Sequence, residues 1–205
     1  MRKYLIAFPL LAIASALASA YLQAQEPVAL RLIEDADSYA VYAFLVPQEW
    51  PVETAHAKRV VLNAETTTYE GCFPSFEGAD NPEWRVVMDA YRRENATKRL
   101  LMPGRTIGVP YIVVPAAEIK TAFVYNPEEP RILGWDRFYL RYPDSGGVVH
   151  ASVIGFDSAK RRAMVYMGHS CNLMCGGGTY HFLEKVSGAW RRANVAGLRN
   201  CGWAS

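Results

Sequence analysis

The chain has little of what would name a reaction. Its 205 residues include only four histidines and four cysteines, with no internal repeat and no low-complexity tract. Beyond the N-terminus there is no long apolar run, and a membrane helix needs about 20 consecutive apolar residues, so no membrane span is expected in the mature chain. A dominant charge is missing as well: 22 basic residues stand against 20 acidic ones, and the basic ones are dispersed except for Arg92-Arg93, Arg161-Arg162 and Arg191-Arg192. Proteins that bind phosphate backbones concentrate Lys and Arg to displace counterions. The three pairs therefore read as solvated surface, and no nucleic-acid partner is expected.

What is present begins with Arg2 and Lys3, followed by an apolar run over residues 4–17 and the small residues Ala18-Ser19-Ala20. A positive start, a short apolar core and a small-residue cleavage site make a secretory signal peptide over residues 1–20. The first cysteine is Cys72, too far on to carry a lipid at that cleavage site. Without Arg2 and Lys3 the mature chain has a net charge near zero, and residues 21–205 suit a single domain in the periplasm or the extracellular space. An even number of cysteines in an exported chain favours disulfides, and four allow three pairings. Cys171 and Cys175 are close enough to bridge locally, which leaves Cys72 and Cys201 to close a long loop. That second bridge is worth about 4–5 kcal/mol in chain entropy.

The pattern of elements is α+β: N-terminal helices packed on a C-terminal antiparallel meander over about residues 147–196. Tyr39, Tyr42, Ala43 and Leu45 predict a helix over residues 34–45, stopped by Pro47 and Pro51. The β-branched and aromatic residues of 59–69 predict a strand. Asn81 and Pro82 open the next helix, on which Trp84, Val87, Met88 and Tyr91 fall on one face at i, i+3, i+4 and i+7. Residues 99–134 are too interrupted to assign, beyond a short apolar stretch at 111–114 and a loop at 126–130. Four strands follow at 148–156, 163–167, 179–186 and 190–195, with Ser187-Gly188 as a tight hairpin turn. Between the middle two lies a loop from His169 to Gly178 containing both Cys171 and Cys175.

Several fragments suggest chemistry. His169, Cys171, Cys175 and His181 could supply four zinc ligands, but His181 falls within a strand and exported thiols oxidise, so a disulfide is expected and no metal. Cys171 and Cys175 have three intervening residues and no helix N-terminus beside them, unlike catalytic redox pairs. Gly176-Gly177-Gly178 precedes a strand and no Lys-Ser or Lys-Thr follows, so it reads as a flexible turn and not as a phosphate cradle. Asp144-Ser145-Gly146-Gly147 resembles the nucleophile segment of trypsin-like proteases and Thr54-Ala55-His56 echoes their histidine segment. Yet Pro143 and Val148 break the pattern, and Asp, Ser and Gly commonly form such turns. His150 and His181 sit in strands, His181 on the face of Leu183 and His150 on that of Ile154 and Phe156. Trp135, Tyr139 and Tyr142 read first as core, with Tyr139, His169 and His181 as the residues best able to line a ligand pocket.

From Trp135 onwards the chain resembles a group of exported bacterial proteins with no assigned activity. The likeness lies in Tyr142-Pro143, Ser145, Gly147, Ser152, Gly155-Phe156, Val165-Tyr166, Cys171, Cys175-Gly176, Gly178, Tyr180, Lys185, Gly188, Trp190, Trp203 and Ser205. It implies export and the C-terminal sheet, and no catalytic residue. Helices followed by a long meander are also similar to the cone-shaped fold of ketosteroid isomerase and the nuclear transport factors, which hosts enzymes and binding modules alike. Two readings of function follow. One is a non-catalytic binding domain for a small molecule or a protein, needing no cofactor. The other is a serine hydrolase using Ser145 or Ser170 with His56, His150, His169 or His181.

Overall fold

The strands of the last third pair with one another in a computed structural model that describes residues 29–50, 57–78, 81–124, 127–128 and 134–205. In chain order its elements are β1 (Arg31–Ile33), α1 (Ala36–Glu49), β2 (Arg59–Asn63), β3 (Ser75–Phe76), α2 (Pro82–Glu94), β4 (Arg99–Leu101), β5 (Tyr111–Val114), α3 (Ala116–Thr121) and α4 (Gly134–Arg141). They continue as β6 (Ser145–Ala151), β7 (Gly155–Phe156), β8 (Arg162–Asn172), β9 (Cys175–Val186), β10 (Ala189–Arg192), β11 (Leu198–Arg199) and β12 (Gly202–Ala204). The chain divides into two units, Met1–Leu30 and Arg31–Ser205, and every one of these elements belongs to the second. The signal-peptide reading of residues 1–20 and the position of His56 lie outside the described residues.

The fold is α+β. Its main sheet has eight strands in the order β10-β9-β8-β6-β2-β5, with β7 on β8 and β12 on β9. The meander of β6, β8, β9 and β10 is antiparallel as the sequence pattern implies. The sheet as a whole is mixed, because β2 runs parallel to both β6 and β5. Parallel neighbours need crossovers. The sequence between β2 and β6 supplies them, and residues 111–114 become the strand β5.

Two cores form on opposite faces because side chains alternate along each strand. On one face α1 lays Tyr39, Tyr42, Leu45 and Val46 against Leu62, Val149, Val165, Met167 and Leu183. Asp35 starts that helix by accepting the Ser38 amide at 3.2 Å, and Lys160 and Lys185 anchor its first turn through Asp35 and Asp37. On the other face α2 packs Trp84, Val87, Met88 and Tyr91 on Met164, Tyr166, Tyr180 and Phe182. Further along that face Phe138 of α4 and Tyr142 just after it join Ile119, Val61, Val114 and Val148.

Several local expectations are corrected. α1 runs on through Pro47 to Glu49. Pro47 sits in the last turn, so its missing amide removes one bond, to the Ala43 carbonyl, just before the helix ends, and Gln48 Nε2 donates to the Phe44 carbonyl at 2.8 Å. The strand expected over 59–69 ends at Asn63, whose Oδ1 accepts the Glu65 amide at 3.1 Å and turns the chain. Asn81 makes no side-chain cap to α2. The run 148–156 breaks at Ser152, whose hydroxyl accepts the Tyr166 amide at 2.9 Å in place of a ladder bond. The loop from His169 to Gly178 is instead the end of a long hairpin: β8 extends to Asn172, β9 begins at Cys175, and only Leu173 and Met174 turn. Ser187 and Gly188 form the expected tight turn, with φ of 50° and 83°.

Candidate functional site

The hairpin of β8 and β9 is held by both disulfides. Cys171 bonds Cys175 across its end with Cα atoms 5.2 Å apart, and Cys72 bonds Cys201 beside its middle at 6.0 Å. Both pairings match the expectation from spacing and suit an oxidising, non-cytoplasmic environment. No helix among the described residues is long and apolar enough to cross a membrane.

Gly178 shows why this stretch carries glycine. A Cβ there would lie 2.2 Å from the Tyr166 hydroxyl and 2.8 Å from Trp203 Nε1, which donates to that hydroxyl at 2.7 Å. The three glycines are thus part of a strand that two large side chains cross, and the flexible-turn reading is corrected. Gly178→Ala is expected to break the Trp203–Tyr166 bond and to destabilise by about 2–4 kcal/mol. Urea unfolding with near-ultraviolet circular dichroism checks this, and a cost below ~0.5 kcal/mol would show that the strand yields to the methyl group.

On the α1 side of the hairpin lies a groove of ≈ 380 Å³, lined by Glu49, Trp50, Met167, His169 and Thr179, with the bridged cysteines at one end and the backbone of the glycine run along it. His169 Nε2 lies 2.5 Å from the Gly146 carbonyl. A carbonyl can only accept, so Nε2 carries the proton and Nδ1 is the ring's acceptor. Burial lowers the pKa of this imidazole, with the Gly146 bond opposing part of the effect, so the ring is neutral at physiological pH. Trp50 rests against it with ring centroids 5.5 Å apart.

His181 belongs to a second layer behind Glu49. Arg192 donates to His181 Nδ1 at 2.8 Å and also pairs with the Glu49 carboxylate. Since guanidinium only donates, the His181 proton is on Nε2, which is buried with no hydrogen-bond partner among the described residues. Burial, opposed by Glu49 and aided by Arg192, pulls its pKa down to about 4. His169 pairs with Gly177 and His181 with Val165, four residues apart along the hairpin. At about 3.4 Å per residue they are roughly 14 Å apart, too far to share one metal ion, and the two cysteines are bonded to each other.

The other candidates fall elsewhere. Tyr139 donates to the Cys171 carbonyl at 2.7 Å, so α4 braces the hairpin and its phenol is occupied. Ser145 is buried and its hydroxyl donates to the Tyr142 carbonyl at 2.7 Å, closing the turn after α4. Asn63 Nδ2 donates to His150 Nδ1 at 3.3 Å on the opposite face of the sheet, and burial, with His169 adding to it, pulls the His150 pKa down to about 4. Among the described residues no hydrogen bond joins Ser145 or Ser170 to a histidine. Glu49, Trp50, Thr179 and Arg192 escaped the sequence reading because nothing in their spacing links them; only the register of β8, β9 and β10 and the end of α1 bring them together.

No family model, curated protein or solved structure matches the chain.

Proposed function

We propose that the chain is an exported, non-catalytic binding domain of the periplasm or the extracellular space that takes a small polar molecule in the groove beside His169. Export is supported by the residue pattern of 1–20 and by the two disulfides. Binding is supported by one observation above the rest: the groove's polar groups are fixed from the protein side, and among the described residues no hydrogen bond couples the Thr179 hydroxyl to a histidine base. His169 is held by Gly146, Glu49 by Arg192, and the Thr179 hydroxyl donates to the Cys201 carbonyl at 3.1 Å. What they offer a ligand is mostly acceptors, His169 Nδ1 and the Glu49 carboxylate, beside the flat apolar wall of Trp50. A ligand rich in hydroxyl or amine donors suits that set.

Thermal shift against a panel of polyols, sugars and small amines is the test. A hit should lose at least tenfold in affinity in His169→Ala and in Trp50→Ala while both variants keep their fold. The hydrolase reading is tested in parallel with a fluorophosphonate. Ser145 and Ser170 are expected to remain unlabelled in the folded protein, and labelling of either, with turnover lost on its replacement by alanine, would overturn the binding reading.

A further inference from the structure

The apex of the β8–β9 hairpin exposes two large apolar side chains, Leu173 and Met174, each 84 % accessible. Isolated exposed apolar residues need no explanation. These two are adjacent, occupy the whole turn, and stand on a rigid base. Cys171 and Cys175 are bridged directly below them, the Leu173 amide donates to Asn172 Oδ1 at 2.7 Å, and Tyr139 of α4 holds the Cys171 carbonyl. A bridge that closes so short a loop contributes less to global stability than a long-range one. Its main effect is to fix the shape of the apex.

The chemistry around the apex is equally selective. Residues 163–183 contain no Asp, Glu, Lys or Arg, and burial keeps both histidines in that stretch neutral. Of the eight large apolar residues exposed among the described ones, five belong to the apex or to the α3–α4 region that braces it: Phe123, Val124, Leu140, Leu173 and Met174. Phe123 packs on Trp135 at 5.1 Å and Trp135 on Tyr139 at 5.9 Å, so aromatic rings connect the brace to the hairpin.

We infer that the Leu173–Met174 apex docks the protein on a lipid bilayer surface. A stable protein interface buries about 800 Å² on each partner, far more than a two-residue convex turn can offer. A bilayer needs no complementary shape and accepts an apolar apex with no charge to desolvate, while amphipathic aromatic rings are favoured at its interface. Two side chains give reversible, peripheral attachment and not anchoring. Because the mature chain is near neutral, the attachment should not depend on anionic lipid. The inference rests on the apex alone and stands whether or not the groove binds a small molecule.

The test is co-sedimentation of the mature, oxidised protein with sucrose-loaded vesicles of phosphatidylcholine, and of phosphatidylcholine with a minority of phosphatidylglycerol. Wild type is expected to partition onto both at millimolar lipid. The double variant Leu173→Asn/Met174→Asn should lose roughly tenfold or more with an unchanged Tm, since neither side chain is packed. Cys171→Ser/Cys175→Ser should fall between the two. Wild type that fails to sediment, or a double variant that sediments equally, overturns the inference. So does binding confined to phosphatidylglycerol vesicles, which would assign attachment to charge, and so does apex-dependent capture by a protein without any vesicle binding.

Discussion

Replacing Cys72 and Cys201 by serine is expected to remove about 4–5 kcal/mol of stability and to lower Tm by roughly 10–20 °C, whereas Cys171→Ser/Cys175→Ser should cost only about 2 kcal/mol. The difference follows from loop size. The first bridge spans 129 residues in sequence and the second spans 4, and the entropy removed from the unfolded chain grows with the logarithm of that span. Packing adds to the first cost. Cys201 is buried in the cluster under α2 with Trp84, Tyr91, Tyr180 and Phe182, and its carbonyl accepts the Thr179 hydroxyl and the Tyr180 amide. The bridge also ties the start of β12 to the segment before β3, which the two-residue pairing of β3 with β11 and the Glu77–Arg199 ion pair join to the C-terminal region as well. Domains of ordinary stability hold only about 5–15 kcal/mol in total. The long-bridge variant should therefore be partly unfolded at 37 °C. Urea titrations of the two double-serine variants under identical conditions measure the ratio. Equal costs would mean that the apex bridge supports the whole sheet, and the assignment of its role to local shape would be wrong.

Where the sequence and the structure agree, one physical signal acted alone. The four apolar residues of α2 show helical spacing because that helix has one buried face and one solvated face. The hairpin turn at Ser187-Gly188 is local chemistry, and so is the Cys171–Cys175 bridge. α1 passes its proline because Pro47 falls in the last turn, where the helix loses one bond and ends within two residues. The mixed sheet was out of reach for a different reason. Val60, Val61 and Leu62 are all buried, so β2 has no alternation to show which neighbour it takes or in which direction. The groove is the extreme case: His169 could be singled out by residue type, but Glu49 and Trp50 come from a helix end and Arg192 from β10. Each is unremarkable in its own stretch of sequence. The residues that join them, Met167 and Thr179, look like any other strand positions.

Stability is expected to fall steeply as pH drops from about 6.5 to about 4, because two histidines are held neutral in the folded state. In the unfolded chain each protonates near 6.5, the ordinary histidine value, whereas burial puts His150 and His181 at about 4 in the fold. Between those limits the unfolded state binds more protons than the native state, so lowering the pH draws the equilibrium towards unfolding. The stability is fully present above about 6.5 and is lost progressively as the pH falls from there to about 4. By linkage each ring contributes a loss of about 3 kcal/mol across that window. His169, whose pKa is also lowered, acts in the same direction. The carboxylates act in a lower window. Asp35 and Asp37 are held below their ordinary value by Lys160 and Lys185, against the opposing effect of burial on both, so their contribution is lost only below about pH 4. Charging His181 has a further structural cost, since a protonated Nδ1 can no longer accept from Arg192 and would face its positive charge in a buried site. Among the described residues Glu49 would remain as the acceptor for that guanidinium. His181→Gln keeps an acceptor for Arg192 and removes the titration, and His150→Gln does the same opposite Asn63. Urea unfolding from pH 7 to pH 4 should show each variant with a shallower slope than wild type by close to one proton, and the double variant keeping only the slope that His169 supplies. A wild-type curve that is flat across the window, or variants that keep its slope, would show that the two rings protonate in place and that the sheet opens locally to let water reach them.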